Sequence, residues 1–109
     1  MSRRELLKGS TETLLLSLVA GEPMYGYQLV KEMEQKSSGY FRFKEGTLYP
    51  ALHRLEAEGL IASDWRPASN GQLRRYYQIT QAGVNRLGSL QHEWRQFARA
   101  VDLVVQTPG

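Results

Sequence analysis

The spacing of apolar residues changes twice along this chain, and those two changes restrict the fold more than any other feature of the sequence. Up to residue 58 apolar positions recur at helical intervals in three separate stretches. Between residues 60 and 79 they give way to aromatic and β-branched runs around a turn, and from residue 81 a helical interval returns. The order is helix, helix, helix, hairpin, helix, without internal repeats or low-complexity segments. A mainly α fold with a small β component (α+β) follows.

The first helix is predicted over residues 5–20. Leu14, Leu15, Leu16, Leu18 and Val19 cover more than one of its faces, so it is buried on several sides or lies between two chains. Gly21-Glu22-Pro23 ends it. The second helix is predicted over residues 25–36, with Tyr25, Leu29, Val30 and Met33 at helical spacing and Ser37-Ser38-Gly39 as its stop. The third covers residues 46–58, where Leu48, Leu52 and Leu55 form one apolar stripe. Pro50 stands near its start, where a missing N–H costs little, and Gly59 is placed to cap its C-terminus.

Two strands are predicted next, over residues 60–66 and 73–79. The turn chemistry of Pro67, Ala68, Ser69, Asn70 and Gly71 joins them into a two-stranded hairpin with a flexible tip. Thr80 suits the N-cap of a last helix over residues 81–105. In that helix Leu87, Leu90, Trp94, Phe97, Val101 and Val104 follow intervals of three and four, which is a heptad seam. A seam kept this long signals pairing with a second copy of the chain; packing on its own domain is the alternative. The expected division is residues 1–80 as one domain and 81–109 as a dimerisation helix with a short tail.

The chain of 109 residues is one domain in length, and a core of that size often gains stability from a partner chain. With no cysteine it has neither a disulfide framework nor a thiolate metal site. His53 and His92 fall on different helices without recognisable ligand spacing, so no metal or other cofactor is expected. No nucleophile–base pair, phosphate loop or paired-carboxylate motif argues for an enzyme. The apolar runs are too short to span a bilayer and are broken by charges near the N-terminus, which points to a cytoplasmic protein away from membranes. The net charge of +3 is a mild basic bias that suits a polyanionic partner.

Helix, turn, helix and then a β-hairpin is the order of a winged helix-turn-helix, in which the third helix enters a DNA major groove and the hairpin is the wing. With Leu48, Leu52 and Leu55 facing inward, Gly46, Pro50, His53 and Arg54 point outward, flanked by Thr47 and Tyr49. Small residues let such a helix sit deep in a groove. Arg54 and His53 can donate to base edges or phosphates, and Thr47 and Tyr49 to phosphates. Tyr25 and Lys44, at the starts of the second and third helices, belong to the same candidate surface. Glu56 and Glu58 oppose phosphate at the far end, so contact should concentrate at the helix start, near the positive end of its dipole. Each residue also has a plainer role open to it: Arg54 can pair with Glu58, and Tyr49 can pack at the core edge. Arg74 and Arg75 at the wing base point to opposite sides of their strand, so at most one meets a given row of phosphates.

Several of these segments, taken in order, resemble the PadR-like transcriptional regulators. They are Tyr25-Gly26-Tyr27, then Glu45-Gly46-Thr47-Leu48-Tyr49-Pro50-Ala51-Leu52, then Arg54-Leu55-Glu56 with Glu58-Gly59-Leu60-Ile61. Arg74-Arg75-Tyr76-Tyr77, Ile79-Thr80 and Ala82-Gly83 complete the set. The resemblance runs from about residue 9 to residue 97. It implies a homodimer joined mainly by the last helix with help from the first, repression of nearby genes, and a short form without a large C-terminal domain. On that basis Leu14, Leu18, Leu87, Leu90, Trp94, Phe97, Val101 and Val104 are the candidate dimer contacts. Some relatives of the short form answer to small planar aromatic compounds near the dimer interface, where two copies of Trp94 would stack on a ligand or simply pack the dimer. Leu73 stands where relatives often carry a proline, and residues 37–44 show no strong match. A protein-binding adaptor that kept the fold without DNA affinity is the competing reading.

Overall fold

Side-chain size and cap chemistry shape each element of the computed structural model, which describes residues 3–106. Four helices, α1 (Arg3–Gly21), α2 (Gly26–Lys36), α3 (Glu45–Ala57) and α4 (Gln81–Val105), and three strands, β1 (Met24–Tyr25), β2 (Ile61–Pro67) and β3 (Leu73–Ile79), follow in the order α1-β1-α2-α3-β2-β3-α4. The expected tail beyond Gln106 lies outside the described residues.

Leu15, Leu16, Leu18 and Val19 of α1 are all buried, and the helix lies against α2, α3, α4 and β3 at the centre of the fold. Around it close Leu29 and Met33 of α2, Leu48, Ala51, Leu52 and Leu55 of α3, and Ile61 and Tyr77 of the sheet. Each such leucine contributes about 1.5–3 kcal/mol by leaving water. Phe43, between α2 and α3, is buried in the same core. It anchors the helix-turn-helix connection at a point where the sequence offered no motif.

Glycine and hydroxyl caps set the helix ends. After α3, Gly59 takes φ +75°, the Leu60 amide donates to the Leu55 carbonyl at 2.9 Å and the Gly59 amide to Glu56 at 3.0 Å. This Schellman closure turns the chain straight into β2. At α4, Thr80 Oγ1 accepts from the Gly83 amide at 3.1 Å and donates to the Gly59 carbonyl at 2.6 Å, so one hydroxyl caps a helix and ties it to the end of α3. Gly83 is required for a steric reason: a Cβ there would run into the Leu60 carbonyl and lie 2.6 Å from Ile79 Cγ1.

The sheet has three strands in the order β1-β3-β2, all antiparallel, where the sequence predicted two. Tyr25 was expected to open a helix; it is instead the second residue of β1 and pairs with Tyr76, their rings meeting edge to face with centroids 5.4 Å apart. A two-residue strand is too short to show a period, and Gly26 begins the helix one position later. At the wing tip Ala68 donates to the Gln72 carbonyl at 2.7 Å, and Gly71 supplies the left-handed residue at φ +85°.

The expected seam of α4 divides in two. Leu87, 7% exposed, is already buried in the chain's own core and Leu90 packs beside it, as Leu18 of α1 does at 6%. Leu18 and Leu87 were read as dimer contacts, but the first helix and the start of the last close on each other within one chain, so both leucines serve the domain core. Farther along, Trp94, Phe97, Val101 and Val104 are 52%, 49%, 40% and 85% exposed. An ion pair between Arg86 and Glu12, 3.3 Å apart, fastens the near half of α4 to α1.

Candidate nucleic-acid interface

The burial of α3 fixes what it shows outward. Leu48, Ala51, Leu52 and Leu55 hold one face inside, which leaves Gly46, Thr47, Tyr49, Pro50, His53 and Arg54 exposed on the other. Lys44 is exposed just ahead of them. All seven were singled out from the sequence, and the fold brings them onto one surface. Among the described ion pairs Arg54 has no partner, so the anticipated link to Glu58 does not occupy it.

Tyr49 shares its surface with a packing duty. Its ring and hydroxyl lie against Gly26 at the start of α2, and a Cβ on Gly26 would overlap the hydroxyl and approach ring carbons to 2.9 and 3.2 Å. The glycine is therefore what lets Tyr49 lie down across the joint between α2 and α3. This packing leaves Tyr49 37% exposed.

An open cleft of about 440 Å³ separates the exposed face of α3 from the wing, its lining including Tyr25, Tyr49, His53, Trp65, Tyr77 and both Arg74 and Arg75. None of the described residues around it is acidic. Burial at its floor pushes the Tyr77 phenol above its usual pKa, with Arg75 pulling it down and Tyr49 and Glu56 adding to the rise. Trp65, 63% exposed, stands at the wing side of the cleft and was not singled out from the sequence. Its signal was alternation along β2, which puts Trp65 on the same face as Ile61 and Ser63.

The two arginines of β3 have different surroundings. Arg74 lies over the Tyr25 ring, its guanidinium carbon 4.4 Å from the ring centre, and has no carboxylate partner among the described ion pairs. Arg75, on the opposite side of the strand, donates from Nη2 to Glu56 Oε1 at 3.0 Å and from Nε to Ser63 Oγ at 2.8 Å. Glu56 is thereby neutralised rather than left to repel phosphate. Nearby, Arg66 is paired with Asp64 at 3.1 Å. Among the described ion pairs, Lys44, Arg54 and Arg74 of this surface have no partner. Among the described residues no group of three possible metal ligands occurs, and no helix is long and apolar enough to cross a membrane.

A three-helix core with a helix-turn-helix, followed by a β-hairpin beside an exposed, partly basic helix, defines a winged helix-turn-helix protein. Comparison with known proteins places it further. Residues 15–89 match the transcriptional regulator PadR-like family. The transcriptional regulator Rv3488 of Mycobacterium tuberculosis is 35% identical over 98 residues, which cover 90% of this chain and 88% of that protein. A crystal structure of a PadR-like transcriptional regulator from Bacillus cereus superposes with a TM-score of 0.85 at 30% identity, covering 95% of this chain and 99% of the other. A transcriptional regulator from Clostridium thermocellum does so with a TM-score of 0.84, also at 30% identity, covering 94% and 99%. The chain belongs to the PadR-like family of transcriptional regulators, a family of DNA-binding regulators and not of enzymes.

Proposed function

We propose that this protein is a repressor that binds a pseudo-palindromic duplex site as a homodimer. The observation that carries the reading is the exposed face of α3, where Gly46, Thr47, Tyr49, Pro50, His53 and Arg54 stand clear of the core between the unpaired cations Lys44 and Arg74. A helix with small residues at its outer face and cations at its flanks matches a major groove and its bordering phosphates.

The dimer rests on the far half of α4. Trp94 and Phe97 lie with ring centroids 5.9 Å apart, and together with Val101 and Val104 they leave an apolar face uncovered that a second α4 would bury. Leu14 of α1 and Leu90 of α4, both partly buried at the edge of the core, would extend the contact. Two α3 helices would then occupy successive major grooves, about 34 Å apart. A planar aromatic effector held between the two Trp94 rings would change the angle between the protomers and release the duplex.

The test is a mobility-shift titration over a salt series, using a duplex enriched from a random-sequence pool by the protein itself. Binding that falls steeply as salt rises supports the reading. Failure to enrich any duplex, or binding indifferent to salt, removes it in favour of a protein-binding adaptor.

A further inference from the structure

We propose that Glu56, Ser63 and Arg75 are positioning residues that set the wing against the reading helix, an inference that rests on the DNA-binding reading above. The three side chains come from three elements, α3, β2 and β3, and close a ring. Ser63 Oγ donates to Glu56 Oε2 at 2.6 Å and accepts from Arg75 Nε at 2.8 Å, while Arg75 Nη2 donates to Glu56 Oε1 at 3.0 Å. Both carboxylate oxygens and the hydroxyl are used within the ring.

The place of the ring in the fold gives it this role. Among the described hydrogen bonds and ion pairs, no others join α3 to the two wing strands. Beyond it the wing projects: Trp65, Pro67 and Leu73 are exposed, and the tip rests on its own turn. Ser63 pairs across the sheet with Tyr77, and Arg75 with Trp65, so the ring grips the hairpin where it leaves the core. The pleat of β3 puts Arg74 on the opposite side from Arg75, over Tyr25, while the ring occupies Arg75. The ring therefore decides which arginine is free for phosphate and where it stands relative to Arg54 and His53. A specific site needs wing and helix contacts to form together, and a wing that swings freely must be ordered again on binding.

The experiment compares two probes: a duplex enriched from a random pool by the wild-type protein and a scrambled duplex of equal length. Glu56→Gln is expected to weaken the enriched duplex about tenfold, the scale of a lost base contact. Its affinity for the scrambled duplex stays level or rises, because Arg75 loses its counter-charge and adds to the net positive charge near the phosphates. Ser63→Ala, which changes no charge, shows the same loss on the enriched duplex and none on the scrambled one. Combining Glu56→Gln with Arg75→Gln costs no more than either alone.

Two results overturn the proposal. If Glu56→Gln tightens both duplexes and steepens the salt dependence, Arg75 is a phosphate contact held back by Glu56. If every variant loses equally on both probes along with its thermal midpoint, the ring only supports the fold. Should the wild-type protein enrich no duplex, the DNA-binding reading fails before this one is reached.

Discussion

Arg74 rests on the ring of Tyr25, with 4.4 Å between guanidinium carbon and ring centre. The contact joins the free side of β3 to the short strand that precedes α2. It holds the cation over the ring face, with no carboxylate partner among the described ion pairs. Arg74→Ala is expected to weaken binding on specific and random duplexes alike and to reduce the salt slope by about one, the loss of one phosphate contact. A slope that does not change would assign Arg74 to packing alone.

Arg54 stands exposed on α3 without an ion-pair partner among the described residues. Arg54→Ala should cost about 1–3 kcal/mol on the preferred duplex and relax preference at one base position, as measured by competition among single-base variants of that duplex. Unaltered affinity removes Arg54 from the interface.

Gly83 has no room for a side chain. Gly83→Ala would press a methyl group against the Leu60 carbonyl and Ile79, both fixed by the sheet and by the Thr80 cap. The cost expected is about 2–3 kcal/mol, seen as a fall of about 10 °C in the thermal midpoint. A midpoint within a degree or two of wild type would show that α4 can slide off the sheet without penalty.

Most of the fold was legible because its signals are local. The stripe Leu48, Leu52, Leu55, the glycine at position 59 and the hydroxyl of Thr80 each act within a few residues of themselves, and the structure uses all of them as read. The β1 strand was not legible, since Met24 and Tyr25 owe their conformation to Tyr77 and Tyr76, far along the chain. Arg75 and Glu56 are 19 positions apart, and only the packing of the wing on α3 brings them together. The heptad intervals picked out one stripe of α4 but could not say which partner each part of it meets. Leu87 meets the chain's own core, while Trp94 and the residues after it extend past the domain. The candidate DNA surface was read residue by residue, from α3, Tyr25, Lys44 and the wing-base arginines; the cleft with Trp65 and Tyr77 between them needed the wing in place.

Tyr77 links stability to alkaline pH. Its phenol is neutral in the fold and burial raises its pKa, so its contribution is fully present below the unfolded value, about 10. That contribution is lost as pH rises through the higher folded value. Tyr77→Phe should therefore flatten the decline of thermal stability above about pH 10. A decline as steep as that of the wild type would place the alkaline sensitivity elsewhere.

In the proposed complex two chains, joined along the exposed half of α4, present paired α3 helices to one duplex. Sedimentation equilibrium of the protein with its enriched duplex measures that stoichiometry directly. Two chains per duplex are predicted, with Trp94→Ala shifting the free protein toward single chains and weakening the complex. A complex holding one chain, formed as tightly by Trp94→Ala as by the wild type, would contradict it.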